Sequence, residues 1–144
     1  MNIKMISIQE PEDLISIALY NIFSKRKDEK EFYKLVHDWN KKIVIYVEPF
    51  YPVTVIFEGD EIQFQRGEVE IPDLKVKMHI NAMLDMAYER INPFFAMEEG
   101  HMEIEGLGQD SSKLAKFYSI FMVSLQRVAQ QENQNYYELN KKTR

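Results

Sequence analysis

The sequence predicts an α+β fold: a five-stranded, mostly antiparallel sheet with N-terminal helices, a short middle helix, and a long C-terminal helix covering one face. Three patterns predict it. Apolar residues recur at every second position in five runs between residues 43 and 106, the spacing of half-buried strands. They recur at three-to-four spacing in 11–39 and again in 111–130, the spacing of amphipathic helices. Turn formers (Pro49, Gly59, Gly67, Pro72, Gly106) stand between the runs. The length of 144 residues fits one domain with a real core. That domain comprises helices at 11–39, sheet and middle helix at 43–106, a closing helix at 111–130 and a polar tail at 131–144.

The first residues, to Ile8, lean towards β, with Ile3, Met5 and Ile6 available to pack. Pro11 suits the first turn of a helix, and Glu12 and Asp13 favour its positive end. Leu14, Ile15, Ala18, Leu19 and Ile22 then mark one helical face to about Ser24. Asp28 can cap a second helix that carries Phe32, Leu35, Val36 and Trp39 on one side and stops at Asn40.

From Ile43 the period becomes two. Ile43, Ile45 and Val47 form a strand that Pro49 stops. Val53, Val55 and Phe57 form the next, and Glu58-Gly59-Asp60-Glu61 signals a hairpin into Ile62 and Phe64. Leu74, Val76, Met78 and Ile80 alternate with Lys75, Lys77 and His79 in a fourth strand. Asn81 can cap a short helix from Ala82 to about Ile91, with Met83, Leu84, Ala87 and Ile91 inward. Asn92-Pro93 closes that helix, and Phe94-Phe95-Ala96-Met97 reads as a loop too apolar to be left in water. Met102 and Ile104 form the last strand. On a wheel of about 100° per residue, Leu114, Phe117, Tyr118, Phe121, Met122, Leu125, Val128 and Ala129 share one face of the closing helix. Ile120 and Val123 fall on the other side, either as scattered surface residues or under a cover.

Composition narrows the function classes. The net charge of −5 argues against nucleic acid, which needs clustered Lys and Arg; Lys25-Arg26-Lys27 runs straight into Asp28 and Glu29. Cysteine is absent, so disulfides and thiolate chemistry are excluded, which fits a reducing compartment. Glu10, Glu12 and Asp13 interrupt the start too early for a signal peptide, and no apolar run approaches the ~20 residues of a membrane helix. Asn140 to Arg144 does not match the peroxisomal address of the Ser-Lys-Leu type. The expectation is a cytoplasmic protein without an integral membrane segment.

Catalytic signals are weak. His79 and His101 sit at outward strand positions near Glu103, yet their spacing matches no recognised metal pattern. His37-Asp38 reads as a solvated pair, because consecutive helical residues do not face one another. There is no nucleophile elbow, and the carboxylates alternate outward. Gly106-Leu107-Gly108 before Asp110, Ser111 and Ser112 could seat an anion on free amides. A plain strand-to-helix turn with an acidic or hydroxyl cap accounts for it better. No catalytic residue, metal or cofactor is expected.

The interior is unusual in content. Met78, Met83, Met86, Met97, Met102 and Met122 mix with Phe94, Phe95, Phe117 and Phe121. Methionine is flexible and polarizable, and surfaces that accept several shapes use it heavily. The same residues also serve as ordinary core filler, so composition alone leaves an adaptable cavity and a packed core both open.

The order of elements resembles the sterol carrier protein type-two-like domain family. The resemblance is carried by Val53-Thr-Val-Ile-Phe-Glu-Gly-Asp60, Leu74-Lys-Val-Lys-Met-His-Ile80, Ile91-Asn-Pro-Phe-Phe-Ala-Met97 and Gly100-His-Met-Glu-Ile-Glu-Gly106, and spans about Phe32 to Ala129. Glu89-Arg90 stands where the family often has a Gly-Lys-like pair, and Gln109 to Ser112 is more polar than the family pattern. The resemblance implies an apolar tunnel for lipid and no catalysis. Its walls would come from Phe64, Met78, Ile80, Met83, Phe94, Phe95, Met97, Met102, Ile104, Phe117, Phe121 and Leu125.

Two further hypotheses compete with a lipid-binding or lipid-transfer protein for a fatty acid, acyl-CoA or sterol-like ligand. One is a packed accessory or dimerisation domain of the same fold, a homodimer using Ile120 and Val123. The other is a cone-shaped α+β isomerase or hydratase; it ranks last because that fold finishes on its sheet, whereas this chain finishes on a long helix.

Overall fold

Asp13, rather than Pro11, starts the first helix. Its carboxylate accepts hydrogen bonds from the Ser16 N–H at 2.9 Å, the Ser16 hydroxyl at 2.7 Å and the Tyr51 hydroxyl at 2.6 Å. Three donors on one capping carboxylate fix where the helix begins and tie it to the sheet, since Tyr51 immediately precedes a strand. The computed structural model describes residues 5–106, 108 and 112–131. Its elements are β1 (Ser7–Ile8), α1 (Leu14–Ser24), α2 (Lys30–Val36), β2 (Lys41–Glu48), β3 (Pro52–Glu58), β4 (Glu61–Arg66), β5 (Leu74–His79), α3 (Ile80–Ala87), α4 (Pro93–Glu98), β6 (Met102–Glu105) and α5 (Ser112–Phe117). The helix that α5 begins widens into a π-helical turn (Tyr118–Met122) and resumes α-helical geometry over 123–131.

The fold is α+β as expected, but the sheet has six strands and is mixed, in the order β1-β4-β3-β2-β5-β6. Two pairings correct the five-stranded, mostly antiparallel expectation. β1 adds to β4 in parallel; it is two residues long and leaves no alternation to read. β5 lies parallel to β2, so the chain after β4 must cross β3 and β2 to reach it. Residues 67–73 make that crossing over the outer face. The Thr54 hydroxyl donates to the Gly67 carbonyl at 2.8 Å and accepts from the Val69 N–H at 3.3 Å. Asp73 Oδ2 accepts from the Lys42 N–H at 2.8 Å. The strap explains why Val44 and Thr54, on the face expected to be wet, are buried.

The inner face is the one the alternation predicts. Registered pairs line up Phe64, Val55, Ile43 and Leu74 in one row. Val53, Ile45, Val76 and Ile104 form a second row, and Val47, Met78 and Met102 a third. Gly106 ends β6 at φ +96°, where a Cβ would stand 2.8 Å from the Asp73 carbonyl oxygen, so only glycine fits.

Several helix limits move, each for a local reason. α2 starts after Glu29 without a side-chain cap, because the Glu29 carboxylate instead meets Arg26 and Arg127; Asp28 does not cap it. His37 follows the last residue of α2, and Asp38 has φ 56°. The chain has therefore left the helix, and His37 does face Asp38, at 3.0 Å, with Asp60 on its other nitrogen. α3 starts earlier than Ala82, since His79 Nδ1 accepts from the Asn81 N–H at 3.1 Å. It stops before Glu89, which sits at φ 57°, a conformation that favours the glycine of the family's pattern. Phe94 to Met97 is helix rather than loop, capped by Asn92 with Pro93 in the first turn.

The centre of the interior is filled by aromatic rings. Phe23, on the last turn of α1, meets Phe32, Phe57, Phe64 and Phe121 at ring-centroid distances of 6.3–6.5 Å. Phe121 stacks on Phe117 at 5.3 Å, and Trp39 lies edge-on to Phe57 at 5.0 Å. Phe23→Ala is expected to lower unfolding free energy by about 3–5 kcal/mol in urea denaturation, whereas Met97→Ala, against unfilled space, should lower it by less than about half that. A drop of equal size at both positions would contradict this division of the interior.

The Asp13 cap carries a pH dependence. Burial raises the carboxyl pKa, but hydrogen bonds from Tyr51 and Ser16 and the charge of Arg66 outweigh it and hold the pKa below the ordinary value. A depressed carboxyl pKa contributes stability above the unfolded-state value of about 3.9, and that contribution is lost as pH falls through the folded-state value. Asp13→Ala is expected to cost about 1 kcal/mol at pH 7. The difference from wild type should shrink as the pH of the denaturation series drops below about 4.

Candidate ligand-binding site

Where the aromatic packing ends, towards β6, the interior opens. A cavity of about 470 Å³ lies between the β6 edge of the sheet, α4 and the closing helix. It is lined by Pro93, Phe94 and Met97 of α4, Met102 and Ile104 of β6, and Leu114, Ala115, Phe117, Tyr118, Ser119 and Met122 of the closing helix. Among the described residues the lining holds no Asp, Glu, Lys, Arg or His; the hydroxyls of Ser119 and Tyr118 are its polar side-chain groups. The size falls within the usual range of small-molecule pockets, about 300–1,000 Å³.

Three local features position these walls. β6 points Met102 and Ile104 inward by strand alternation. Lys113 fastens the start of the closing helix, donating to the Gly106 carbonyl at 2.7 Å and the Asp73 carbonyl at 3.1 Å. α4 turns Pro93 and Ala96 into the protein, and this leaves Phe94 57% and Phe95 50% exposed. The expectation that this apolar stretch is kept from water therefore fails for both phenylalanines. Phe94 still forms part of the rim, its ring stacked on Tyr118 at 5.8 Å.

Of the residues expected to line a tunnel, Phe94, Met97, Met102, Ile104 and Phe117 meet around this cavity. The other seven lie elsewhere. Phe121 and Leu125 are buried, with Phe121 in the aromatic packing, and Phe64 stacks on Phe23. Met78 is buried at the end of β5, and Ile80 and Met83 are half-buried on α3. Phe95 faces outward on α4. For Phe64 and Phe121 the physical reason is Phe23, whose ring packs against both. Leu114, Tyr118 and Met122 line the cavity without having been singled out as walls. Their signal was present, since all three share the apolar face of the closing helix.

The contact expected at Ile120 and Val123 also needs correction. Ile120 is fully buried and Val123 half-buried, so a homodimer through them is not supported. Of the two readings open for Ile120, the cover is the one found: α2 packs against the π-turn that holds it.

A second depression, of about 460 Å³, lies where the end of β5 and the start of β6 meet α3, and mixes charged side chains with Met78, Ala82 and Ile91. His79 and His101 both line it, with Glu48, Lys77, Asp85 and Glu103. Its charges are largely matched: Lys77 lies 3.7 Å from Glu48, and Arg90 lies 2.8 Å from Asp85. Among the described residues no three His, Asp or Glu side chains are grouped to hold a metal ion, and no helix is long and apolar enough to cross a membrane. The anion seat considered at Gly106-Leu107-Gly108 falls partly outside the described residues, as do Asp110 and Ser111.

No curated protein sequence is significantly similar to the chain. Solved structures share its fold at low identity. A UbiJ-SCP2 ubiquinone synthesis protein superposes with a TM-score of 0.56 at 13% identity, over 76% of this chain and 87% of its own. The sterol carrier protein domain 2 of Helicoverpa armigera gives 0.53 at 18% identity, over 85% and 94%. The sec-alkylsulfatase Pisa1 of a Pseudomonas species gives 0.50 at 14% identity, over 61% of this chain but only 14% of the enzyme. The sequence pattern of the SCP-2 sterol transfer family matches residues 21–121, from α1 into the π-turn, and the chain belongs to that family.

Proposed function

We propose that the chain is a non-catalytic lipid carrier, one domain that holds a fatty acid, an acyl-CoA or a sterol-like molecule in the cavity beside β6. The observation that supports this most is the cavity itself, about 470 Å³ walled by apolar side chains and opening past a half-exposed phenylalanine. Residues lining it perform no bond chemistry; they exclude water from the guest. Met97, Met102 and Met122 let the wall follow guests of different outline. Phe94 is the side chain placed to swing aside on entry. A chain with ~14 buried methylenes gains roughly 11 kcal/mol at about 0.8 kcal/mol each. Association costs about 4–15 kcal/mol, so affinity depends on a cavity that is open before the guest arrives.

A cysteine-free carrier of this kind fits the cytoplasm. A second role is suggested by the alkylsulfatase, in which the fold makes up a small part of a long enzyme. Here the domain would present an apolar substrate to an enzyme, with the same cavity in use.

Organic-solvent extraction of purified protein followed by mass spectrometry is expected to release a lipid. A fluorescent fatty acid should bind and be displaced by long-chain lipids. Met102→Trp, which fills the cavity from β6, should abolish uptake while leaving the thermal transition cooperative. Lipid-free protein that ignores the probe would favour a domain without a guest, and undiminished uptake by Met102→Trp would place the guest elsewhere.

A further inference from the structure

The closing helix departs from regular geometry at the wall of the cavity. In an α-helix the Val123 N–H would bond the Ser119 carbonyl, four residues back. Here it bonds the Tyr118 carbonyl, five residues back, which leaves the Ser119 carbonyl without that donor. The donor comes from another element. Arg26, just past the end of α1, reaches the Ser119 carbonyl with Nη1 at 2.8 Å. The same nitrogen lies 3.1 Å from the Ser124 hydroxyl, and that hydroxyl bonds the Ile120 carbonyl.

Arg26 is 1% exposed. Its guanidinium stands 5.1 Å over the Phe32 ring, and Nε lies 3.4 Å from Glu29. Glu29 also pairs with Arg127 on the closing helix. Stability alone is a weak reason to keep such a residue, since buried charges are often replaceable by apolar side chains at no loss. π-turns are rare and frequently fall at functional sites. This one contributes Tyr118, Ser119 and Met122 to the cavity wall.

We propose that Arg26 is a positioning residue for the cavity: it latches the π-turn open, and the latched turn sets the outline of the guest that fits. The inference rests on the carrier function proposed above. With Arg26 in place the turn bulges: the Ser119 carbonyl and the Ser124 hydroxyl meet Arg26, while Tyr118, Ser119 and Met122 border the cavity. Without the guanidinium the Ser119 carbonyl must recover a backbone donor, which tightens the turn and moves Tyr118 and Met122.

The test compares wild type with Arg26→Met, Arg26→Lys, and Arg26→Met combined with deletion of Ser119, the residue that a regular turn does not need. Two readouts are used: ¹³C-methyl methionine spectra of lipid-free protein, and binding of cis-parinaric acid with a series of shorter and longer fatty acids as competitors. Arg26→Met is expected to shift the Met122 methyl signal, weaken the probe by about ten-fold or more and alter the chain-length preference; Arg26→Lys should restore part of each. The deletion variant should melt cooperatively but should not recover the wild-type preference. A Met122 signal that stays in place in Arg26→Met, or a deletion variant with wild-type binding and preference, would overturn the role of Arg26. If wild type binds no probe while the Met122 signal still shifts, the carrier function fails and the hold of Arg26 on the wall stands.

Discussion

The interior is divided by the ring of Phe23. It leaves α1 near the helix end and enters the space between the sheet and the closing helix, meeting a ring from each side. A phenylalanine in that position makes the β4–β3–β2 side of the sandwich solid, because rings from α1, α2, β3, β4 and the closing helix interlock there. Among the described residues, no equivalent ring enters from the β6 side. α4 is six residues long, and it faces the protein with Pro93 and Ala96, which are too small to fill the gap. The hollow is thus the space that the N-terminal helices do not reach.

Much of this was readable in the residues. Strand alternation placed Val53, Val55, Ile43, Ile45, Leu74, Val76, Met102 and Ile104 on one inner face, and all of them except half-buried Ile104 are buried. The chain order and the glycine after β6 carried the family resemblance. What escaped was non-local. Val44 and Thr54 are buried by a strap that exists only because β5 pairs with β2, a pairing separated by a hairpin and a crossover. β1 holds its place through backbone bonds such as Ser7 N–H to the Asp60 carbonyl at 2.8 Å, which no side-chain pattern announces.

The cavity was half legible for the same reason. Met97, Met102 and Phe94 could be placed because they lie in or beside the last strand, next to an edge where the sheet ends. Phe64, Phe121 and Leu125 lie outside this cavity, and neither strand alternation nor the apolar face of a helix tells which stretch lies over a filled neighbour. The Asn92-Pro93 signature of α4 was present, yet four apolar residues in a row, Phe94 to Met97, suggested burial more strongly than helix geometry allows.

The hollow also constrains how the protein can behave when empty. Enclosed apolar voids cost about 24 cal/mol per Å³ in core-truncation series. On that scale a sealed void of about 470 Å³ would cost roughly 11 kcal/mol, comparable to the whole stability of a typical domain, about 5–15 kcal/mol. A rigid, dry, sealed chamber is therefore not a viable empty state. The walls answer this in two ways: the rim runs past Phe94, already half in water, and three of the walls are methionines able to fold into the space. An opening at the edge of the sheet and a pliant lining are what let an unoccupied apolar cavity coexist with a folded chain, and they are the same properties that admit a guest.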